Sequence, residues 1–156
     1  MLGNIELTRP EENSMSTLIF INLPVRDLDK SVAFYEAIGA TKNPQFSDDT
    51  AVCMVLSETI HVMLLTHAKF QGFTPRAIPD AQKTAQVLLC ISRVDRAAVD
   101  VITEAAAKAG GEADVGPKQD YGFMYGRSFA DPDGHIWEPM WMDVEAAKQA
   151  MPGKAS

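Results

Sequence analysis

The feature that most constrains this chain is an order of secondary-structure signals that occurs twice: strand, helix, then three strands. The first pass begins at Leu18–Val25, where Ile19, Ile21, Leu23 and Val25 alternate with Leu18, Phe20, Asn22 and Pro24. Asp27 or Asp29 can cap a helix running to about Ile38, with Leu28, Val32, Tyr35 and Ile38 at helical spacing and Gly39 as its stop. Strands are expected near residues 41–47, 51–56 and 60–66. The second pass opens with a strand over 85–92, with Val87, Leu89 and Ile91 on one face and Gln86, Leu88 and Cys90 on the other. A helix over 95–108 follows, its stripe formed by Val94, Ala98, Val101, Ile102, Ala105 and Ala109, before Gly110-Gly111. Strands are then expected near 113–117, 123–130 and 135–142. Two βαβββ repeats of an α+β protein result.

Around these repeats the organisation is a single domain over 17–150. Repeat one spans 17–67 and repeat two spans 85–142. Residues 68–84, with Gly72, Pro75 and Pro79, are too long for a tight connection and read as a linker or lid. A terminal helix is expected over 143–150. Residues 1–16 are polar and aperiodic and read as a flexible arm.

The most informative local stretch is Arg127-Ser-Phe-Ala-Asp-Pro-Asp-Gly-His-Ile-Trp-Glu-Pro-Met-Trp-Met142. Asp131-Pro132-Asp133-Gly134 is turn chemistry, with proline fixing φ and glycine able to take the left-handed position. A three-residue loop at 132–134 sets Ser128 opposite Glu138, Phe129 opposite Trp137 and Tyr125 opposite Trp141. The aromatic face should then pack on helices. The other face carries Gly126, Ser128, Ile136, Glu138 and Met140. A carboxylate between Ile136 and Met140 needs partners or a function.

Composition narrows the partners. A formal net charge of −7, with 14 scattered Lys and Arg, argues against nucleic acid and against anionic membrane surfaces. No apolar run approaches a membrane span, and no signal peptide is visible. Cys53 and Cys90 both fall in apolar strand runs, so both are expected as small core residues of a cytoplasmic protein.

Three segments together resemble the vicinal oxygen chelate superfamily (glyoxalase, bleomycin resistance protein and extradiol dioxygenase). They are Leu23-Pro-Val-Arg-Asp-Leu-Asp-Lys-Ser-Val-Ala-Phe-Tyr-Glu-Ala-Ile-Gly39, Val94-Asp95 with Ala109-Gly-Gly111, and Asp131-Pro-Asp-Gly-His-Ile-Trp-Glu138. Ile60-His-Val-Met-Leu-Leu-Thr66 and Tyr121-Gly-Phe-Met-Tyr-Gly-Arg127 resemble bacterial proteins described as predicted lactoylglutathione lyases. The resemblance implies a curled mixed sheet forming a cup, with metal ligands on inward positions. Those positions fall here on Phe20, Leu64, Gln86 and Glu138. Two hydrocarbons cannot bind a cation, and an amide and a carboxylate are too few for a stable divalent site. No metal and no other cofactor is therefore expected. By alternation His61 and His67 should point away from the cup.

The expected cup is apolar, with Phe20, Asn22, Leu64, Gln86 and Ser128 in its lining and Tyr121 and Phe73 as loop aromatics able to close over a ligand. Glu138 is the candidate polar anchor or general acid/base, and Asn22, Gln86 or Ser128 could donate to it. Three functions are weighed: a binder of a small organic molecule, a metal-dependent lyase or isomerase of the lactoylglutathione lyase type, and a metal-free enzyme using Glu138. The resemblance also implies a homodimer.

Overall fold

The computed structural model describes residues 17–151, so the arm expected over residues 1–16 lies outside the described residues. The first repeat holds β1 (Ile19–Val25), α1 (Leu28–Ala37), β2 (Thr41–Asn43), β3 (Ala51–Val55) and β4 (Ile60–Thr66). Its sheet has the order β1-β4-β3-β2, with β1 parallel to β4 and the remaining pairs antiparallel. Asp27 caps α1 by accepting from the Lys30 N–H, and Gly39 closes it at φ +107°.

The linker contains a short helix, α2 (His67–Gln71), capped by the Thr66 hydroxyl. The second repeat holds β5 (Leu89–Ser92), α3 (Arg96–Lys108), β6 (Glu112–Ala113), β7 (Gln119–Asp120), β8 (Met124–Gly126), β9 (Phe129–Ala130) and β10 (Ile136–Met142). Strand β10 lies between parallel β5 and antiparallel β8 and β9; β6 and β7 flank these last two. This repeats the arrangement of the first sheet, as the sequence order implies. The chain's last helix is α4 (Val144–Ala150), capped by Asp143.

The hairpin register matches the expectation: Trp137 opposes Phe129, Trp141 opposes Tyr125 and Met140 opposes Gly126. Gly134 sits at φ +101° and its N–H donates to the Asp131 carbonyl. The strand expected over 123–130 is split at Arg127–Ser128, and Pro139 explains the break. Arg127 donates its N–H to the Pro139 carbonyl, but proline has no N–H to return. Ser128 instead gives its carbonyl to the Asp114 N–H.

Helices α1 and α3 cover one side of the sheets. Trp137, Tyr35, Phe34, Phe129, Leu64 and Ile102 share a single core drawn from both repeats. Tyr35 and Trp137 meet edge to face at 6.1 Å, so the helix of repeat one packs on the hairpin of repeat two. The stripe expected on α3 holds in part: Ile102 is in the core with Ala105 and Ala109 packed against it, but the buried face is shifted from the rest. Val99, Ile102, Thr103 and Ala106 are buried, whereas Val101 and Val94 are exposed. An alanine-rich helix offers little contrast between faces, so its phase is set by what packs on it.

Candidate functional site

The cup face is the sheet surface turned away from α1 and α3. Cross-strand partners share a face, so the register assigns its residues directly. In repeat one, Phe20 pairs with His61, Asn22 with Met63 and Pro24 with Leu65. In repeat two, Glu138 pairs with Cys90 and Met140 with Ser92. Phe20 is 51% exposed, and its ring stacks on His61 with centroids 4.6 Å apart.

This corrects two expectations. Leu64 does not line the cup. It pairs with Leu23, is fully buried and belongs to the core beneath α1. His61, expected to point away, stands on the cup face beside Phe20. The run Val62-Met-Leu-Leu65 is apolar on both faces, so alternation in the sequence carries no phase there.

A third correction concerns Gln86. The strand expected from residue 85 starts only at Leu89, so Gln86 lies in the linker's last residues and is exposed. It lines a cavity of about 680 Å³ covered by the linker, together with Pro24, Phe70, Leu89, His135 and Ile136. The linker is pinned here: Gln82 Nε2 donates to the Pro132 carbonyl at 3.0 Å. A Cβ on Gly134 would meet the Ala81 carbonyl carbon and oxygen at 2.7 Å.

Glu138 is half-buried and lies outside that cavity, one step beyond Ile136 on the same strand face, or roughly 7 Å along the chain. It lines a smaller recess of about 90 Å³ with Cys90, Gln119, Met124 and Met140. The expected hydrogen-bond network does not form among the described residues: the Ser128 hydroxyl instead accepts from the Gly116 N–H at 2.9 Å. Asn22 is exposed on its strand. Cys90 is an exposed residue rather than a buried one, and partial desolvation of its sulfur together with the Glu138 charge pushes its thiol pKa up. That environment disfavours a thiolate nucleophile. Tyr121 is 60% exposed and stacks on Phe123, and neither it nor Phe73 lines either cavity.

The Asp-Pro-Asp-Gly turn has a structural task of its own. Asp131 is buried; one carboxylate oxygen accepts from the Tyr35 hydroxyl at 2.7 Å and the other from the N–H groups of Asp133 and His135. Trp137 Nε1 donates to the Tyr35 oxygen at 3.1 Å. Burial holds the Tyr35 pKa well above the ordinary phenol range and raises the Asp131 carboxyl. Asp133 accepts from the Arg26 N–H at 3.0 Å and from the Ser31 hydroxyl, fixing the turn to the start of α1.

Arg127 stands at the break between β8 and β9. Its side chain is only 5% exposed, and it bonds Asp100, Glu104 and Asp114 at 3.0, 2.9 and 2.7 Å. The hydrogen bond from Tyr125 lowers the Asp100 carboxyl pKa, and the bond from Arg127 lowers that of Asp114.

A divalent ion does not fit these residues. Among the described residues no three His, Cys, Asp or Glu side chains converge as a metal site requires. Of the expected ligand positions, Phe20 offers no donor atom and Leu64 is buried in the core.

The family model described as Glyoxalase/Bleomycin resistance protein/Dioxygenase superfamily matches residues 17–138. The chain belongs to that superfamily. Among solved structures, this superfamily member is similar to a hypothetical protein from S. aureus, at 27% identity and a TM-score of 0.67 over 82% of this chain and 95% of that one. A glyoxalase-related enzyme from Fulvimarina pelagi aligns at 22% identity and a TM-score of 0.69 over 83% and 91%. The fosfomycin resistance protein FosX from Mesorhizobium loti aligns at 17% identity and a TM-score of 0.57 over 86% and 97%. These last two likenesses concern the fold. No curated protein matches the chain significantly.

Proposed function

We propose that this superfamily member binds a small organic molecule in its cup. The observation that carries the reading is the cavity of about 680 Å³ beneath the linker, walled mainly by hydrocarbon and edged by Gln86 and His135. A volume of that size with few polar groups is the usual form of a small-molecule site. The apolar body of the ligand occupies this end. Glu138, in the neighbouring recess on the same strand, is the proposed polar anchor, suited to a cationic or hydrogen-bond-donating group, and Phe20 and Asn22 stand on the cup face. Phe20 on the cup face, with no three His, Cys, Asp or Glu side chains converging among the described residues, favours this reading over metal-dependent lyase chemistry.

Thermal-shift measurements with benzyltrimethylammonium and its neutral isostere neopentylbenzene test the reading. Both should stabilise the protein, and Glu138→Gln should weaken only the cation, by about tenfold. If neither compound stabilises it and native mass spectrometry finds no retained small molecule, the proposal is wrong.

A homodimer completes the proposal. Ile19, Phe20, Val87 and Leu88 are each more than half exposed, and they sit on or beside the outer strands β1 and β5. A cytoplasmic location suits the two unpaired cysteines. No helix among the described residues is long and apolar enough to cross a membrane.

A further inference from the structure

The polar edge of the linker-covered cavity points to a chemical class of ligand, an inference that rests on the binding function proposed above. His135 follows the hairpin turn and lines the cavity. Its backbone N–H is held by Asp131 at 2.9 Å, and Asp131 is held in turn by Tyr35. The ring is held as well: Nε2 lies 2.8 Å from the Pro24 carbonyl oxygen. A carbonyl can only accept, so Nε2 carries the proton. In the neutral ring Nδ1 is then an acceptor. No hydrogen bond reaches Nδ1 among the described residues, and it is not one of their buried unpaired nitrogens, which are His61 Nδ1 and Arg93 Nε. It therefore keeps some exposure, at a residue that lines both this cavity and a smaller recess with Arg26 and Asp133.

We infer that His135 is the specificity determinant of this cavity, accepting a hydrogen bond from a hydroxyl on an otherwise apolar ligand. The surrounding side chains are mainly hydrocarbon: Leu23, Pro24, Phe70, Leu89 and Ile136. An acceptor fixed from both its backbone and its far ring nitrogen loses little entropy on binding. A neutral aromatic alcohol meets both requirements, with a flat apolar body and a single donor.

Three probes with one ring system separate the terms: 2-naphthol, 2-methoxynaphthalene and 2-methylnaphthalene, titrated by calorimetry. The methoxy compound keeps the oxygen and removes the donor. Wild-type protein should bind 2-naphthol roughly five- to tenfold more tightly than either analogue, the worth of one hydrogen bond. His135→Phe should bind all three alike. Leu89→Trp should fill the cavity and abolish binding of all three.

If the methoxy compound binds as tightly as the naphthol, donor recognition is overturned using wild-type protein alone. If His135→Phe keeps the preference, the hydroxyl belongs to another acceptor and the assignment fails, while the cavity remains a binding site. If all three bind wild type equally and Leu89→Trp excludes them, the binding function stands without this determinant. If none binds, the inference falls, and the cation and retained-ligand measurements decide the binding function separately.

Discussion

Tyr35 joins the two repeats through one oxygen, which donates to Asp131 and accepts from Trp137. Tyr35→Phe removes that oxygen without opening a large void. It leaves a buried indole N–H unpaired and Asp131 short of one donor, so a loss of about 2 kcal/mol is expected in urea denaturation. The loss should depend on pH. Burial raises the folded carboxyl of Asp131 above the ordinary value of about 3.9. Its favourable contribution is therefore complete below that value and declines as pH rises through the folded one. The Tyr35 hydroxyl favours the charged form, so removing it raises the carboxyl further. Denaturation at neutral pH should show a larger loss than denaturation at mildly acidic pH; equal losses would refute the coupling. At the turn itself, Gly134→Ala places a methyl group against the Ala81 backbone at a residue with φ +101°. The strain costs about 1–2 kcal/mol, and the linker has to lift. Hydrogen exchange over residues 79–86 should accelerate in this variant, and unchanged protection would show that the linker is not held there.

Among the elements, α3 depends on Arg127 for its tie to the second sheet. The guanidinium draws Asp100 and Glu104 of the helix and Asp114 of the following loop onto the strand break that Pro139 creates. Arg127→Gln should cost roughly 2 kcal/mol, less than for a fully buried pair because the three carboxylates keep contact with water. The lowered Asp100 and Asp114 carboxyls contribute stability above the ordinary aspartate value and lose it as pH falls through their folded values. In the variant Asp114 returns toward the ordinary value, so the acid side of the stability profile should flatten; an unchanged acid limb would refute the clamp. The burial of Arg127 is not legible in the sequence, because nothing local in Tyr-Gly-Arg-Ser announces a strand break over a helix. The hairpin was legible because Pro132 and Gly134 fix its loop, and a known loop fixes every pair along two strands. The repeat order was legible from alternation and caps. The phase of β4 was not, because Met63 and Leu64 are equally apolar, and so Leu64 and His61 exchanged faces. Gln86 was misplaced because Val87-Leu-Leu has the composition of a strand but follows the linker's path before pairing begins at Leu89. His135 in the cavity depends on a contact 111 residues away in sequence, with Pro24, which no local pattern reveals.

For the whole molecule, the exposed apolar side chains beside β1 and β5 make association with a second copy the proposal to test. Two unpaired strand edges, with Ile19 and Phe20 on β1 and Val87 and Leu88 just before β5, are an aggregation hazard in a lone chain and an asset in a closed pair. Light scattering should give about twice the chain mass of 17.0 kDa. Phe20→Glu combined with Leu88→Glu should return the single-chain mass while leaving the far-ultraviolet circular dichroism unchanged, because neither side chain belongs to the core. Each chain carries a formal charge of −7, so pairing brings like charges together. Salt screens that repulsion over about 10 Å at 0.1 M and leaves apolar contact intact. The pair should therefore tighten as ionic strength rises, the opposite of an interface held by ion pairs. A wild-type protein that scatters as one chain at every salt concentration would leave these side chains without a partner of their own kind, and the cup would then have to hold its ligand within a single chain.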